Sequence, residues 1–110
     1  MKNTTAVLIS FMRDEYTKEC VRSLHDMYPS IKILVAENSH FNKELKDFVN
    51  EHGGRYILMP FDSGVCFARN RLVEMADTEF ILVSDDDFYY TEEAKVEEMV
   101  KFLEANKIIH

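Results

Sequence analysis

Phe80-Ile81-Leu82-Val83-Ser84-Asp85-Asp86-Asp87-Phe88 is the stretch that decides the reading of this chain. Four apolar residues run directly into a serine and three consecutive carboxylates. The apolar part is too short for a lone helix and carries β-branched residues, so it predicts a buried strand. The carboxylates then sit where that strand leaves the sheet. Three adjacent negative charges repel one another, which is costly unless water, a helix N-terminus or a cation relieves it. Two readings are open on this stretch. One is a solvated acidic loop ahead of a helix. The other is a site where Mg²⁺ or Mn²⁺, hard cations that prefer oxygen ligands, carries a diphosphate to the strand end.

Working outward, three further apolar runs precede it: Ala6 to Phe11, Ile31 to Ala36, and Tyr56 to Met59. None alternates cleanly, as expected of strands covered on both faces of a parallel sheet. Helical spacing fills the intervals. Tyr16, Cys20, Val21, Leu24 and Met27 form a stripe that Pro29 ends. Phe41, Leu45, Phe48 and Val49 form another, with Asn42 as cap and Gly53-Gly54 as stop. A third helix starts near Ser63 or Gly64 and runs through Ala68, Leu72, Val73 and Ala76. A fourth is expected with Thr91 as cap, Glu92 and Glu93 in its first turn, and Val96, Met99, Val100 and Leu103 on its buried face. The order β-α-β-α-β-α-β-α predicts an α/β fold: an open, mainly parallel, Rossmann-like sheet with helices on both faces.

The totals fit one domain spanning residues 1–110. With 46% hydrophobic and 30% charged residues, and 3 Gly and 2 Pro, the chain is neither disordered nor fibrous. A net charge of -7 argues against a nucleic-acid partner, whose binding depends on Lys and Arg. Cys20 and Cys66 make no disulfide framework or metal motif, and a buried reduced thiol is expected for each. No stretch reads as a signal peptide or membrane span, so a cytoplasmic location is expected. Lys107-Ile108-Ile109-His110 reads like the start of another strand, so the expectation is a domain truncated at its C-terminus. An edge or apolar face left uncovered there could drive homo-oligomerisation.

In an open parallel sheet, ligands bind beyond the carboxyl ends of the strands. Those ends carry Met12-Arg13-Asp14-Glu15, Glu37-Asn38-Ser39, Pro60-Phe61-Asp62-Ser63-Gly64 and Asp85-Asp86-Asp87. Arg69-Asn70-Arg71, one turn into the third helix, could reach a phosphate or lie on a solvated face. No dinucleotide fingerprint, P-loop or nucleophile elbow is present, and His25, His40, His52 and His110 have no metal-ligand spacing.

Gly64-Val65-Cys66-Phe67-Ala68-Arg69-Asn70, Thr78-Glu79-Phe80 and Asp85-Asp86-Asp87-Phe88 together resemble the G-x-x-x-A-R-N … T-x-[FY] … D-D-D-F pattern of β-1,4-N-acetylgalactosaminyltransferase-like members of glycosyltransferase family 2. Val7-Leu8-Ile9-Ser10-Phe11-Met12-Arg13 and Val35-Ala36-Glu37-Asn38-Ser39 are similar to that family's first two strand ends. The resemblance covers nearly the whole chain. It implies the N-terminal, nucleotide-sugar-binding half of a GT-A fold. It implies a donor that is a nucleoside-diphosphate sugar, with UDP expected, and a Mn²⁺ or Mg²⁺ cofactor held by Asp87 and Asp85. Ser10, Arg13, Glu37, Asn38, Arg69, Asp85 and Asp86 match the nucleotide-sugar side. Glu37 departs from the family's usual aspartate, which bears on base preference. The general base and acceptor site fall in the family's second half, so no base is assigned here and weak or no transfer by this chain alone is expected.

Other classes remain open at this point: a non-catalytic nucleotide-binding module, a phosphoryl-accepting phosphatase-like or receiver-like domain, and a structural domain with an acidic loop. The phosphoryl-accepting class fits less well. Tyr89 stands where a haloacid-dehalogenase-type motif wants Thr or Val, and the triad follows the fourth strand rather than the first.

Overall fold

The computed structural model describes residues 2–85, 88–91 and 95–105. Each continuous apolar run becomes a strand, and each helical stripe becomes a helix. The order is β1 (Thr4–Ser10), α1 (Asp14–Met27), β2 (Lys32–Glu37), α2 (Lys43–Glu51), β3 (Gly54–Leu58), α3 (Val65–Met75), β4 (Phe80–Val83) and α4 (Val96–Ala105). The strands form one sheet in the order β3-β2-β1-β4, and every pairing is parallel. The expected α/β architecture is therefore present.

Successive side chains of a strand point to opposite faces, and this period sorts the core into two layers. Ala6 and Leu8 of β1 and Ile33 and Val35 of β2 pack with Val21, Leu24, Leu45, Val49, Val96 and Val100 from α1, α2 and α4. Val7, Leu34 and Ala36 go to the other face, where Ala68 and Leu72 of α3 cover them together with Met59. Helices thus cover both faces. The second layer thins toward β4: on that edge strand Ile81 and Val83 are 37% and 49% exposed.

Local chemistry sets the element ends. The Asn42 side chain accepts a hydrogen bond from the Leu45 N–H at 3.1 Å, capping α2 as expected. Gly53, at φ 76, turns the chain from α2 into β3 in a conformation that other residues rarely adopt. α1 stops at Met27, where the N–H of Tyr28 bonds the Leu24 carbonyl, two residues ahead of Pro29.

Three expectations need correction. The described start of α4 is Val96, and Thr91 lies outside the helix. The hydroxyl of Tyr28 accepts from the Val96 N–H at 3.3 Å, a bond supplied by the end of α1 rather than by a local cap. The buried residues of α4 are Val96 and Val100, one helical turn apart, while Met99 and Leu103 are exposed. Cys20 is buried, but Cys66 is exposed in the first turn of α3, and neither forms a disulfide. Glu92 and Glu93 lie outside the described residues. No helix among the described residues is long and apolar enough to cross a membrane.

Candidate functional site

From β1 the chain steps outward to β2 and β3. It then crosses back to β4 on the other side of β1. Connections leave the carboxyl ends of β1 and β4 in different directions, and an open parallel sheet has its crevice at such a switch. A cavity of about 380 Å³ lies there. Phe11 and Arg13 line it from the end of β1, Asn38 from β2, Asp62 from the β3–α3 loop, and Ser84 and Asp85 from β4. Gly64, Val65 and Arg69 of the α3 segment complete it.

Strand parity explains which side chains arrive. The cavity opens on the α3 side of the sheet, the side to which Val7, Ile9, Leu34 and Ala36 point. Continuing that alternation by one step brings Phe11 from β1 and Asn38 from β2 to the cavity wall, and Arg13 reaches it beyond the left-handed turn at Met12. The parity of Ile81 and Val83 likewise carries to Asp85. Ser10 and Glu37 have the opposite parity, that of Leu8 and Val35, which pack toward α1 and α2.

The sequence-nominated residues thus separate. Arg13, Asn38, Arg69 and Asp85 converge on one cavity. Ser10 and Glu37 are fully buried behind it. The Ser10 hydroxyl accepts from Thr17 at 3.0 Å, which ties β1 to α1. Glu37 accepts from the Tyr56 hydroxyl at 2.9 Å on one carboxylate oxygen and from the Ser39 hydroxyl at 2.7 Å on the other. Burial above all, with the Glu37 carboxylate adding to it, pushes the Tyr56 phenol above its ordinary value, so it remains a donor. Asp86 and Asp87 lie outside the described residues.

Asn38 both lines the cavity and holds its rim together. Its backbone N–H reaches the Ser10 carbonyl at 2.8 Å, and its carbonyl accepts from the Asp62 N–H at 2.8 Å. Its side-chain oxygen accepts from the Ser63 N–H at 3.2 Å and the Ser63 hydroxyl at 2.5 Å. The ends of β1, β2 and β3 are thereby fixed to one another. Beside them, Gly64 sits at φ 94 and ψ 152, a region essentially reserved for glycine. A Cβ there would meet no atom within 4 Å, so the requirement is conformational, not steric. Gly64 also offers no side chain to cap α3. The positive end of that helix, at Gly64 and Val65, therefore borders the cavity.

The electrostatics have two sides. Arg13, Arg69 and the α3 N-terminus suit a phosphorylated anion, for which planar guanidinium groups are well shaped. Asp85 and Asp62 offer carboxylate oxygens, and among the described residues the lining includes no Cys or His, a donor set that fits a hard divalent cation. Among the described residues no group of three or more His, Cys, Asp or Glu forms a metal cage.

Sequence reasoning placed Asp62 in the third strand-end cluster but gave neither it nor Phe11 or Ser84 a role in the site. Asp62 carried a signal: it stands in a loop of turn-forming residues and adopts φ 50, a left-handed conformation that Asp tolerates better than most. Met12, next to Arg13, is also left-handed, at φ 56. Such positions concentrate at functional sites.

Comparison with known proteins agrees with this geometry. The profile of "Glycosyl transferase family 2" matches residues 5–109. Beta-1,4 N-acetylgalactosaminyltransferase 2 of Mus musculus is 31% identical over 99 residues, covering 90% of this chain and 19% of that protein. Beta-1,4 N-acetylgalactosaminyltransferase 1 of Rattus norvegicus is 30% identical over 104 residues, covering 94% of this chain and 19% of that protein. The chain therefore spans about a fifth of the length of these curated relatives. With nearly every residue inside the match and the fold and crevice in place, the chain belongs to glycosyl transferase family 2.

Proposed function

We propose that this chain is the donor-binding part of a glycosyltransferase and takes a nucleoside-diphosphate sugar, UDP-linked, into the crevice between β1 and β4. The observation that carries the reading is the convergence of Arg13, Asn38, Arg69 and Asp85 on one cavity at the switch point. In this reading Arg13 and Arg69 hold the diphosphate, with the N-terminus of α3 adding its dipole. Asn38 borders the nucleoside, and Asp86 contributes to the same side. Glu37 and Ser10 act from behind the wall, fixing the backbone that presents Asn38 and Arg13. Asp85 and Asp87 hold Mn²⁺ or Mg²⁺. When bound, that ion supplies Lewis-acid neutralisation of the charge on the departing diphosphate. No residue here is assigned as the general base or to the acceptor site, so in this reading the 110-residue chain by itself binds donor and transfers sugar poorly or not at all.

Mn²⁺ paramagnetic resonance tests the site. Bound Mn²⁺ loses the sharp six-line spectrum of the free ion. Adding UDP to the chain with limiting Mn²⁺ should suppress that spectrum beyond what UDP does alone, and Asp87→Ala should abolish the extra suppression. A spectrum that the chain leaves unchanged at saturating UDP would refute the site. Separately, exposed Ile81 and Val83 on edge strand β4 support self-association. Light scattering that finds monomer at every concentration would contradict that.

A further inference from the structure

A buried chain of hydroxyl and thiol groups meets the main chain at Asp85, and donor binding as described gives it no task. The Tyr90 hydroxyl donates to Ser84 Oγ at 2.8 Å. Ser84 Oγ donates to the main-chain carbonyl of Asp85 at 3.1 Å. Cys20 Sγ lies 3.7 Å from Ser84 Oγ and donates to the same Asp85 carbonyl at 3.6 Å. The Phe88 N–H also points to that carbonyl, at 3.4 Å. On the far side of the acidic stretch, the Tyr90 N–H donates to Ser23 Oγ at 2.9 Å, and the Ser23 hydroxyl donates to the Cys20 carbonyl at 2.9 Å. Cys20, Ser84 and Tyr90 are all buried.

The chain entering the acidic stretch and the chain leaving it are therefore tied to one turn of α1, at Cys20 and Ser23. They are tied to each other through the Tyr90–Ser84 bond. Three adjacent carboxylates repel, and a ligand that needs them close must meet the cost of ordering them. A segment whose ends are already fixed has less freedom left to lose. Burial raises the Tyr90 phenol above its ordinary value, which keeps it a hydrogen-bond donor. Chains of hydrogen bonds in a low-dielectric interior also reinforce one another.

We propose that Tyr90 is a positioning residue whose hydroxyl, through Ser84, ties the chain at Asp85 to the chain at Tyr90 and so preorganises the metal-dependent part of nucleotide binding. The proposal rests on the donor-site reading above. It predicts a selective defect: loss of the gain that metal confers, without loss of nucleotide affinity itself.

Calorimetric titration of the 110-residue chain with UDP, with and without Mn²⁺, gives that gain as a ratio of dissociation constants. Tyr90→Phe should lower the ratio about tenfold and leave metal-free UDP affinity within about twofold, the worth of one buried hydrogen bond. Ser84→Ala should lower the ratio similarly, and the double variant should add little, because both remove one connection. Cys20→Ser, which keeps a donor, should retain the ratio. Val49→Ala removes core contacts in α2 from a side chain that makes none of these hydrogen bonds, and should lower the melting temperature without moving the ratio. The inference is overturned if Tyr90→Phe and Ser84→Ala keep the wild-type ratio, if their losses add, or if Val49→Ala moves the ratio as much. A wild-type ratio of one overturns the donor-site reading and the inference with it.

Discussion

Glu37 and Asp85 are acidic residues at the carboxyl ends of strands in one sheet, two strand positions apart across β1. They are used in opposite ways. Glu37 is completely buried, with its two oxygens taken by Tyr56 and Ser39. Asp85 is exposed and borders the cavity. The difference is one of parity: Glu37 shares the face of Ile33 and Val35, and Asp85 that of Ile81 and Val83. A carboxylate at a strand end is therefore not by itself a ligand. The face it inherits from its strand decides whether it holds the fold or meets the solvent.

The largest expected effect is on stability. Glu37→Ala should destabilise the chain by about 2–4 kcal/mol, since it strands the Tyr56 and Ser39 donors and leaves a void. Asp85→Ala should change stability by no more than about 0.5 kcal/mol, as exposed substitutions usually do. Urea denaturation of the two variants breaks the comparison if their costs are alike. Next comes binding. Arg69→Ala should weaken UDP about 10- to 100-fold, the worth of a hydrogen bond to a charged group. Arg69→Lys should recover part of that loss, because it restores charge but not the planar fork. A calorimetric affinity unchanged in Arg69→Ala would remove this arginine from the site.

A smaller effect is on pH dependence. The folded state holds the Tyr56 phenol above its unfolded value of about 10. Its contribution is fully present below about pH 10 and is lost as pH rises toward the folded value. Tyr90 is shifted in the same direction. Between about pH 9 and 11, Tyr56→Phe should therefore lose less stability than the wild type, though not none. Equal slopes would mean that burial of Tyr56 is not holding the phenol neutral. The smallest effect is expected for Lys32→Ala. The Lys32–Asp77 pair, at 2.9 Å, is exposed at the opposite, amino-terminal end of the strands. Its loss should barely move the melting temperature.

The fold was largely legible because the apolar runs are continuous, and continuous runs have few alternatives in a chain this rich in helical stripes. Asn42 and Gly53 carried their turn chemistry openly. The start of α4 was not legible: its first N–H is met by Tyr28, which is 68 residues away in sequence, and no local pattern encodes that. Arg13, Asn38 and Asp85 were legible because they follow strand ends, and Arg69, inside the third helix, because it stands in the A-R-N motif that carries the family resemblance. Ser10 and Glu37 passed the same test and stand behind the wall. Counting parity back from Val7 and Ala36 would have separated them, but that needs to know which face α3 covers. The crossover to β4 settles this, and only tertiary structure displays it. Asp62 was placed at the third strand end within Pro60-Phe61-Asp62-Ser63-Gly64, but nothing local singles it out from that cluster.

The most direct test of the central claim, that the crevice beside Asp85 is a metal-dependent nucleotide site, is thermal melting of the chain with UDP, with Mn²⁺, and with both. The grid should be repeated on Asp87→Ala and Glu37→Ala. At about a hundred times the dissociation constant a ligand adds roughly 2.7 kcal/mol, or about 10 to 20 °C for a domain this size. The account predicts a shift of that order when both ligands are present, a small shift with either alone, and no joint shift in Asp87→Ala. Glu37→Ala should melt lower and still gain from the pair if it remains folded. A wild-type curve that UDP and Mn²⁺ together leave in place would contradict the claim.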